Sequence, residues 1–184
     1  VDLNNDGVID EFDRTVIGGD KPLSFFGIDL GLESGGFEFS MLWQGVYNRD
    51  IYLSDRNFTE GFLQINQHYG QAYEHLLNRW TPETAETATF PRLSAGGNNY
   101  NYGNGWGTSL WLKSGNFIRL KNLNIAYNLP ESFTRNYLGN LRVKIFAAGQ
   151  NLLTFSAIDL VDPEVGFTSY PLQRNINFGV NVKF

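Results

Sequence analysis

The residues best suited to chemistry lie at the start of the chain, in D-L-N-N-D-G-V-I-D-E-F-D at 2–13. Asp2, Asn4, Asp6, Asp10 and Asp13 offer side-chain oxygens at positions 1, 3, 5, 9 and 12 of a loop, and Val8 at position 7 would offer its carbonyl. A calcium ion takes about 6–8 hard oxygens, and this spacing wraps them around one point. Gly7 stands at position 6, where the loop must turn sharply. Position 12 is Asp13 rather than the usual Glu, and a shorter carboxylate reaches an ion less readily with both oxygens. The cofactor expected is Ca²⁺ in a structural role, pinning the segment that leads into the first strand. The competing reading is a turn in which Asp and Asn side chains satisfy their own backbone N–H groups and hold no metal. R-T-V-I at 14–17 reads as the start of a short helix.

No catalytic constellation stands beside this loop, so no enzyme is expected. His68 and His75 lie seven residues apart and read as solvated or partner-facing. No G-x-S-x-G, H-E-x-x-H or phosphate-binding loop occurs. The stretch G-G-N-N-Y-N-Y-G-N-G-W-G at 96–107 lacks the Lys-Ser/Thr ending that a phosphate cradle needs. Its aromatic rings suit stacking on sugars or packing the loop itself. The net charge of -5, with no basic run, argues against nucleic acid. Cysteine is absent, which removes disulfides and thiolate metal sites.

The elements that carry these loops are strands. Aromatic residues make up 15% of the chain and charged residues only 18%, against roughly 25% charged in an ordinary soluble domain. No run approaches the ~18 apolar residues of a membrane-spanning helix, although a barrel strand needs only about 10 residues of alternating pattern. That alternation is plain in N-I-N-F-G-V-N-V-K-F at 175–184: Ile176, Phe178, Val180, Val182 and Phe184 share one face, Asn and Lys the other. S-F-F-G-I-D-L-G-L-E at 24–33 and F-E-F-S-M-L-W-Q-G-V-Y at 37–47 read as a hairpin about Ser34-Gly35-Gly36. In F-I-R-L-K-N-L-N-I-A-Y-N-L at 117–129 the apolar phase slips by one residue, which predicts a β-bulge near Lys121-Asn122. A strand at 141–155 follows, with a short helix expected over 71–80.

These five strands divide the chain into a loop (1–21), a hairpin (22–47), a long loop (48–116), a hairpin (117–155), a loop (156–173) and a terminal strand (174–184). Short and long connections alternate, as the periplasmic turns and extracellular loops of outer-membrane barrels do. Apolar faces would meet lipid and polar faces would line a lumen, with Trp43, Tyr47, Trp106, Trp111 and Tyr127 as girdle candidates. The long loops would lie outside and the C-terminus at the periplasm. Val1 in place of Met, and five strands that cannot close a barrel, read as a piece of a longer protein.

Several stretches in order resemble one family: D-L-N-N-D-G-V-I-D-E-F-D-R-T-V-I-G at 2–18, N-R-W-T-P-E at 78–83, and P-R-L at 91–93. W-L-K-S-G-N-F-I-R-L-K-N-L-N-I-A-Y-N-L-P at 111–130 is the most specific, followed by G-Q-N-L-L-T-F at 149–155, D-P-E at 162–164 and Y-P-L-Q-R at 170–174. Together with the terminal Phe184 they resemble the C-terminal part of SusC/RagA-type TonB-dependent transporters of the Bacteroidota outer membrane. The resemblance implies an all-β fold, the last strands of a large antiparallel transmembrane barrel plugged by an N-terminal domain. It implies import of glycans or peptides with a SusD-like lipoprotein, powered through TonB. It also implies that Phe184 serves the barrel assembly machinery as a recognition signal. Two other readings compete. A soluble calcium-binding β-sandwich that binds carbohydrate would bury both strand faces. A dockerin-like module, which the Asp at position 12 resembles, needs a second calcium loop that the chain lacks.

Overall fold

The computed structural model describes residues 2–8, 10–53, 74–92, 109–139, 141–166 and 169–184. The chain divides into two units, Val1–Asp20 with Tyr52–Leu112 and Lys21–Ile51 with Lys113–Phe184.

The second unit is built on strands β1 (Ser24–Ser34), β2 (Phe37–Tyr47), β5 (Phe117–Asn128), β6 (Arg142–Ser156) and β7 (Asn175–Lys183). Each is antiparallel to its neighbour, in the order β1-β2-β5-β6-β7. Strands β3 (Asp50–Tyr52) and β4 (Leu112–Ser114) form a separate two-stranded ribbon. A helix, α1 (Glu131–Tyr137), joins β5 to β6. Pro130 sits at its N-cap with φ near −58°, so the residue that ends the strand also starts the helix. Neither α1 nor the ribbon was foreseen from the sequence. Both are shorter than the window in which periodicity can be read.

Register turns the sequence alternation into two faces. Ile28 lies opposite Trp43, Leu30 opposite Met41 and Leu32 opposite Phe39. Met41 then meets Leu123, Phe39 meets Ile125, and Ile125 meets Ala147, which meets Phe178. A single apolar surface therefore crosses all five strands. On the opposite face Gln44, Arg119 and Thr154 lie in one row, and Glu38, Ala126 and Phe146 in another. There Lys144 reaches across small Ala126 to pair with Glu38, which also accepts from Asn128 Nδ2 at 2.7 Å. Gly35 and Gly36 make the β1–β2 turn at φ +58° and +88°, the pair of positive φ angles that a two-residue hairpin favours.

The expected bulge is present. Lys121 is skipped between Leu120 and Asn122 in pairing with β2 and with β6. On β6 the residues opposite it are Asn151 and Leu152, and Asn151 takes φ +52°, a left-handed position that Asn tolerates better than most residues.

An eleven-residue strand at about 3.3 Å per residue is about 36 Å long, and a tilt near 45° brings it to about 25 Å, the height of a lipid-facing band. The two-residue turn and α1 lie at one end of this sheet. The longer connections lie at the other.

In the first unit, Leu53 and Trp111 are buried, and the Leu53 N–H donates to the Trp111 carbonyl at 2.8 Å. N-R-W-T-P-E folds into a compact turn. Thr84 Oγ1 donates to the Arg79 carbonyl and accepts from the Thr81 N–H, while Trp80 N–H donates to the Phe90 carbonyl. The expected helix at 71–80 is a 3₁₀ turn, Glu74–Asn78, among the described residues. His68, the stretch 96–107 and Trp106 lie outside them, as does the side chain of His75.

Candidate functional site

The acidic loop folds back on itself through its own carboxylates. Asp2 Oδ1 accepts from the Asn5 N–H at 2.6 Å and Oδ2 from the Gly7 N–H at 2.8 Å. Gly7 adopts φ +82°, the sharp turn expected at position 6. Asn4 Nδ2 donates to Asp6 Oδ2, and Asp6 Oδ1 accepts from the Val8 N–H, both at 2.8 Å. Asp13 closes the loop by accepting from the Leu3 and Asp10 N–H groups. Asp10 caps the 3₁₀ turn Glu11–Asp13 through the Phe12 N–H. The Asp10 and Leu3 N–H groups hold the Asp13 carboxyl below its usual value of 3.8. The helix expected at 14–17 does not form, and Arg14 is extended. The backbone path therefore suits a cation loop at positions 1 and 6. Among the described residues, however, no three carboxylate or imidazole groups converge as a metal site would require. The carboxylates face N–H groups.

A second polar cluster, which sequence reasoning missed, lies on the polar face of the sheet. Arg119 on β5 is only 3% exposed and Asp162 7% exposed. The Arg119 guanidinium donates three ways at 2.8 Å: Nε to Thr154 Oγ1, Nη1 to Glu164 Oε2 and Nη2 to Asp162 Oδ2. Lys121 Nζ donates to both oxygens of Glu164, at 2.8 and 3.0 Å. Arg119 and Lys121, two residues apart on the strand, both reach Glu164. Arg49 Nη1 donates to the Pro163 carbonyl at 2.8 Å, and Asn151 Nδ2, from the bulged position on β6, to the Gln173 carbonyl at 3.1 Å. The Arg119 guanidinium also sits 5.7 Å from the Phe117 ring centroid, within cation–π range.

Thus the D-P-E segment at 162–164 is held from three directions. Burial pushes the Asp162 carboxyl up, but the Glu164 N–H, the Arg119 guanidinium and the Leu172 N–H together outweigh it, and the group stays below its usual 3.8. A guanidinium donates from three nitrogens fixed in one plane and so reaches acceptors spread around it, whereas the three N–H groups of an ammonium radiate from a single atom. Beside this clamp opens a cleft of about 500 Å³ lined by Arg119, Asn151, Thr154, Asp159, Leu172 and Arg174, among others. The only sequence signals for the clamp were the motifs R-L-K and D-P-E; nothing in either motif says that they meet.

The apolar face carries aromatic rings at both ends. Phe37 and Tyr127 stand 4.5 Å apart at the turn end, and Trp43 stacks with Phe155 at 6.3 Å toward the other. Tyr47 is exposed beyond them. Ten residues of β2 separate Phe37 from Tyr47, about 33 Å along the strand and roughly 23 Å at 45° tilt, which matches two interfacial girdles. Trp111, expected among the girdle residues, is instead 1% exposed and packs 6.3 Å from Phe90. It is the last residue of a 3₁₀ turn, Ser109–Trp111, rather than lying on a long strand, so strand alternation does not govern where it points. Phe184 follows β7 at the turn end and is fully exposed.

These features were compared with known proteins. No family model matches the chain. TonB-dependent receptor P26 of Formosa agariphila is 32% identical over 206 residues, covering 100% of this chain and 19% of the relative. TonB-dependent receptor P3 of the same organism is 29% identical over 199 residues, covering 100% of this chain and 18% of the relative. Among solved structures, the RagAB peptide importer in its 'open-open' state superposes with a TM-score of 0.66 at 26% identity, over 92% of this chain and 18% of that one. The chain thus spans less than a fifth of the length of these relatives. With its one-sided apolar sheet, paired aromatic rows and loops sorted by length, the chain is similar over its whole length to a stretch of TonB-dependent receptors and shares the fold of part of the RagAB importer's β-barrel.

Proposed function

We propose that this chain forms barrel wall and loops of an importer, in which the long connections face outward and the turn end, with Phe184, faces the periplasm. The observation that carries the reading is the apolar surface across five strands, which the other elements of the same unit leave largely exposed. A soluble sandwich would need a second sheet there. In this role the polar face lines the lumen and the chain's share is transport scaffold rather than catalysis. The larger chain would take up a glycan or peptide, close beneath a SusD-like lipoprotein at the long-loop end and draw energy through TonB. The solved relative is a peptide importer, which favours a peptide. Phe184 would mark the finished barrel for the assembly machinery.

The test is extraction of the native protein carrying this sequence. We expect it to require detergent, to shift in electrophoretic mobility on boiling, and to co-purify with a surface lipoprotein. A detergent-free 20.8 kDa monomer would overturn the transporter reading in favour of a soluble sandwich. Uptake of labelled oligopeptides against oligosaccharides, with and without TonB, separates the two cargo classes.

The acidic loop is proposed to take Ca²⁺ as a structural ion, through side-chain oxygens of Asp2, Asn4, Asp6, Asp10 and Asp13 and the Val8 carbonyl. Its support is the loop spacing and the positive φ of Gly7. Binding would exchange some carboxylate–N–H bonds for ion contacts. Hydrogen exchange at Leu3, Gly7 and Asp10 in the intact receptor is expected to change when Ca²⁺ replaces chelator, as their carboxylate acceptors are redirected, and not to respond in Asp2→Ala. No calcium effect in the unaltered protein would leave a self-capped turn. In the metal-free loop the Asp13 bonds are expected to hold above pH 3.8 and to loosen as pH falls below it, because this carboxyl titrates lower in the folded loop.

A further inference from the structure

The connection between β5 and β6 carries an exposed aromatic surface that the barrel wall does not use. Phe133 and Tyr137 lie one helical turn apart on α1, with ring centroids 5.0 Å apart, and are 47% and 74% exposed. Two side chains orient the helix. Thr134 is buried and accounts for its packed side. Glu131 lies 3.6 Å from Arg142, whose strand position belongs to the polar, lumen-side row with Lys144. At about 100° per residue, Phe133 and Tyr137 sit roughly 200° and 240° around the helix from Glu131. They therefore point away from the lumen side.

The helix also begins just past the end of the lipid-facing row. Tyr127, which packs on Phe37 in the turn-end aromatic row, is followed by Leu129 in the same phase, and Pro130 then starts α1. The aromatic side of α1 thus continues the lipid face beyond the girdle.

We propose that α1 is an interfacial foot, seated with Phe133 and Tyr137 among the headgroups of the periplasmic leaflet while Glu131 and Arg142 stay in water. Aromatic and apolar side chains on one side of a short helix, with charges on the other, suit the boundary between acyl chains and water. The foot would set the height of the β5–β6 hairpin in the membrane. This inference rests on the barrel reading above.

Nitroxide labels test it in the receptor reconstituted into phosphatidylcholine–phosphatidylglycerol vesicles. This chain contributes no native cysteine to compete for label. Labels at Phe133 and Tyr137 are expected to favour oxygen over a water-soluble nickel chelate severalfold more than a label at Arg135 does. They should also report a shallower depth than a label at Ile125 on the lipid face. Heat-shifted mobility of each labelled receptor verifies its fold. If the Ile125 label reads as lipid-exposed while those at 133 and 137 match Arg135, the foot is overturned and the barrel stands. Labels at 133 and 137 shielded from both reagents would place the helix against protein, which also overturns it. An Ile125 label exposed to the nickel chelate would overturn the barrel reading itself.

Discussion

Replacing Arg119 by Met is expected to free the loop around D-P-E from the sheet, with amide exchange at 162–172 rising by roughly two to three orders of magnitude. The reason is the asymmetry of buried charge. Removing one partner of a buried ion pair costs about 3–5 kcal/mol, because the remaining charge is left uncompensated. Asp162 is buried, and it would keep only the Glu164 and Leu172 N–H groups. Glu164 would retain Lys121. At about 1.4 kcal/mol per factor of ten, the cost corresponds to the stated change in exchange if it falls on loop docking alone. Arg119→Lys is expected to recover only part, since one ammonium cannot reach Thr154, Asp162 and Glu164 together. Arg119→Met combined with Asp162→Leu is expected to exchange more slowly than Arg119→Met alone, because no lone charge remains. Unchanged exchange in Arg119→Met would mean that the loop is held by other contacts. The pH dependence has a definite sign. The Asp162 carboxyl titrates lower when docked, so its contribution is present above pH 3.8 and is lost as pH falls below that value. Docking is therefore expected to be flat from pH 8 to about pH 5.

The second large effect separates the two faces of β5. Leu123 lies in the middle of the apolar row, opposite Met41 and Gly149, and Asn124 lies beside it on the polar face. Leu123→Arg is expected to destabilise the inserted barrel by about 2–4 kcal/mol, the cost of a cation at the bilayer midplane. Asn124→Arg is expected to cost much less, because in the proposed barrel its side chain would meet lumen water. Urea refolding into vesicles, followed by the heat-shifted band, measures both. Equal effects at the two positions would show that neither side of the strand faces lipid. A soluble sandwich predicts that Leu123→Arg prevents folding even without lipid. The membrane reading predicts that detergent concentration modulates the loss.

What could be read from the chain alone was whatever repeats within a few residues. Strand faces were legible because side chains alternate with a period of two, and the slip at Lys121–Asn122 was legible because it breaks that period locally. The acidic loop was legible for the same reason: its donors and its glycine fall within twelve consecutive residues. Even there, spacing located the oxygens but not their partners, and the structure turns them toward N–H groups. Tertiary structure alone decided which residues meet at long range. Arg119 and Asp162 are 43 residues apart and Glu38 and Lys144 are 106 apart, and strand order and register bring each pair together. Trp111 and Phe133 show the same limit from opposite sides. An aromatic residue expected at a membrane girdle is buried, and one in an ordinary-looking connection is exposed. Alternation tells which way a strand residue points, while a residue in a turn or a seven-residue helix is placed by whatever packs against it.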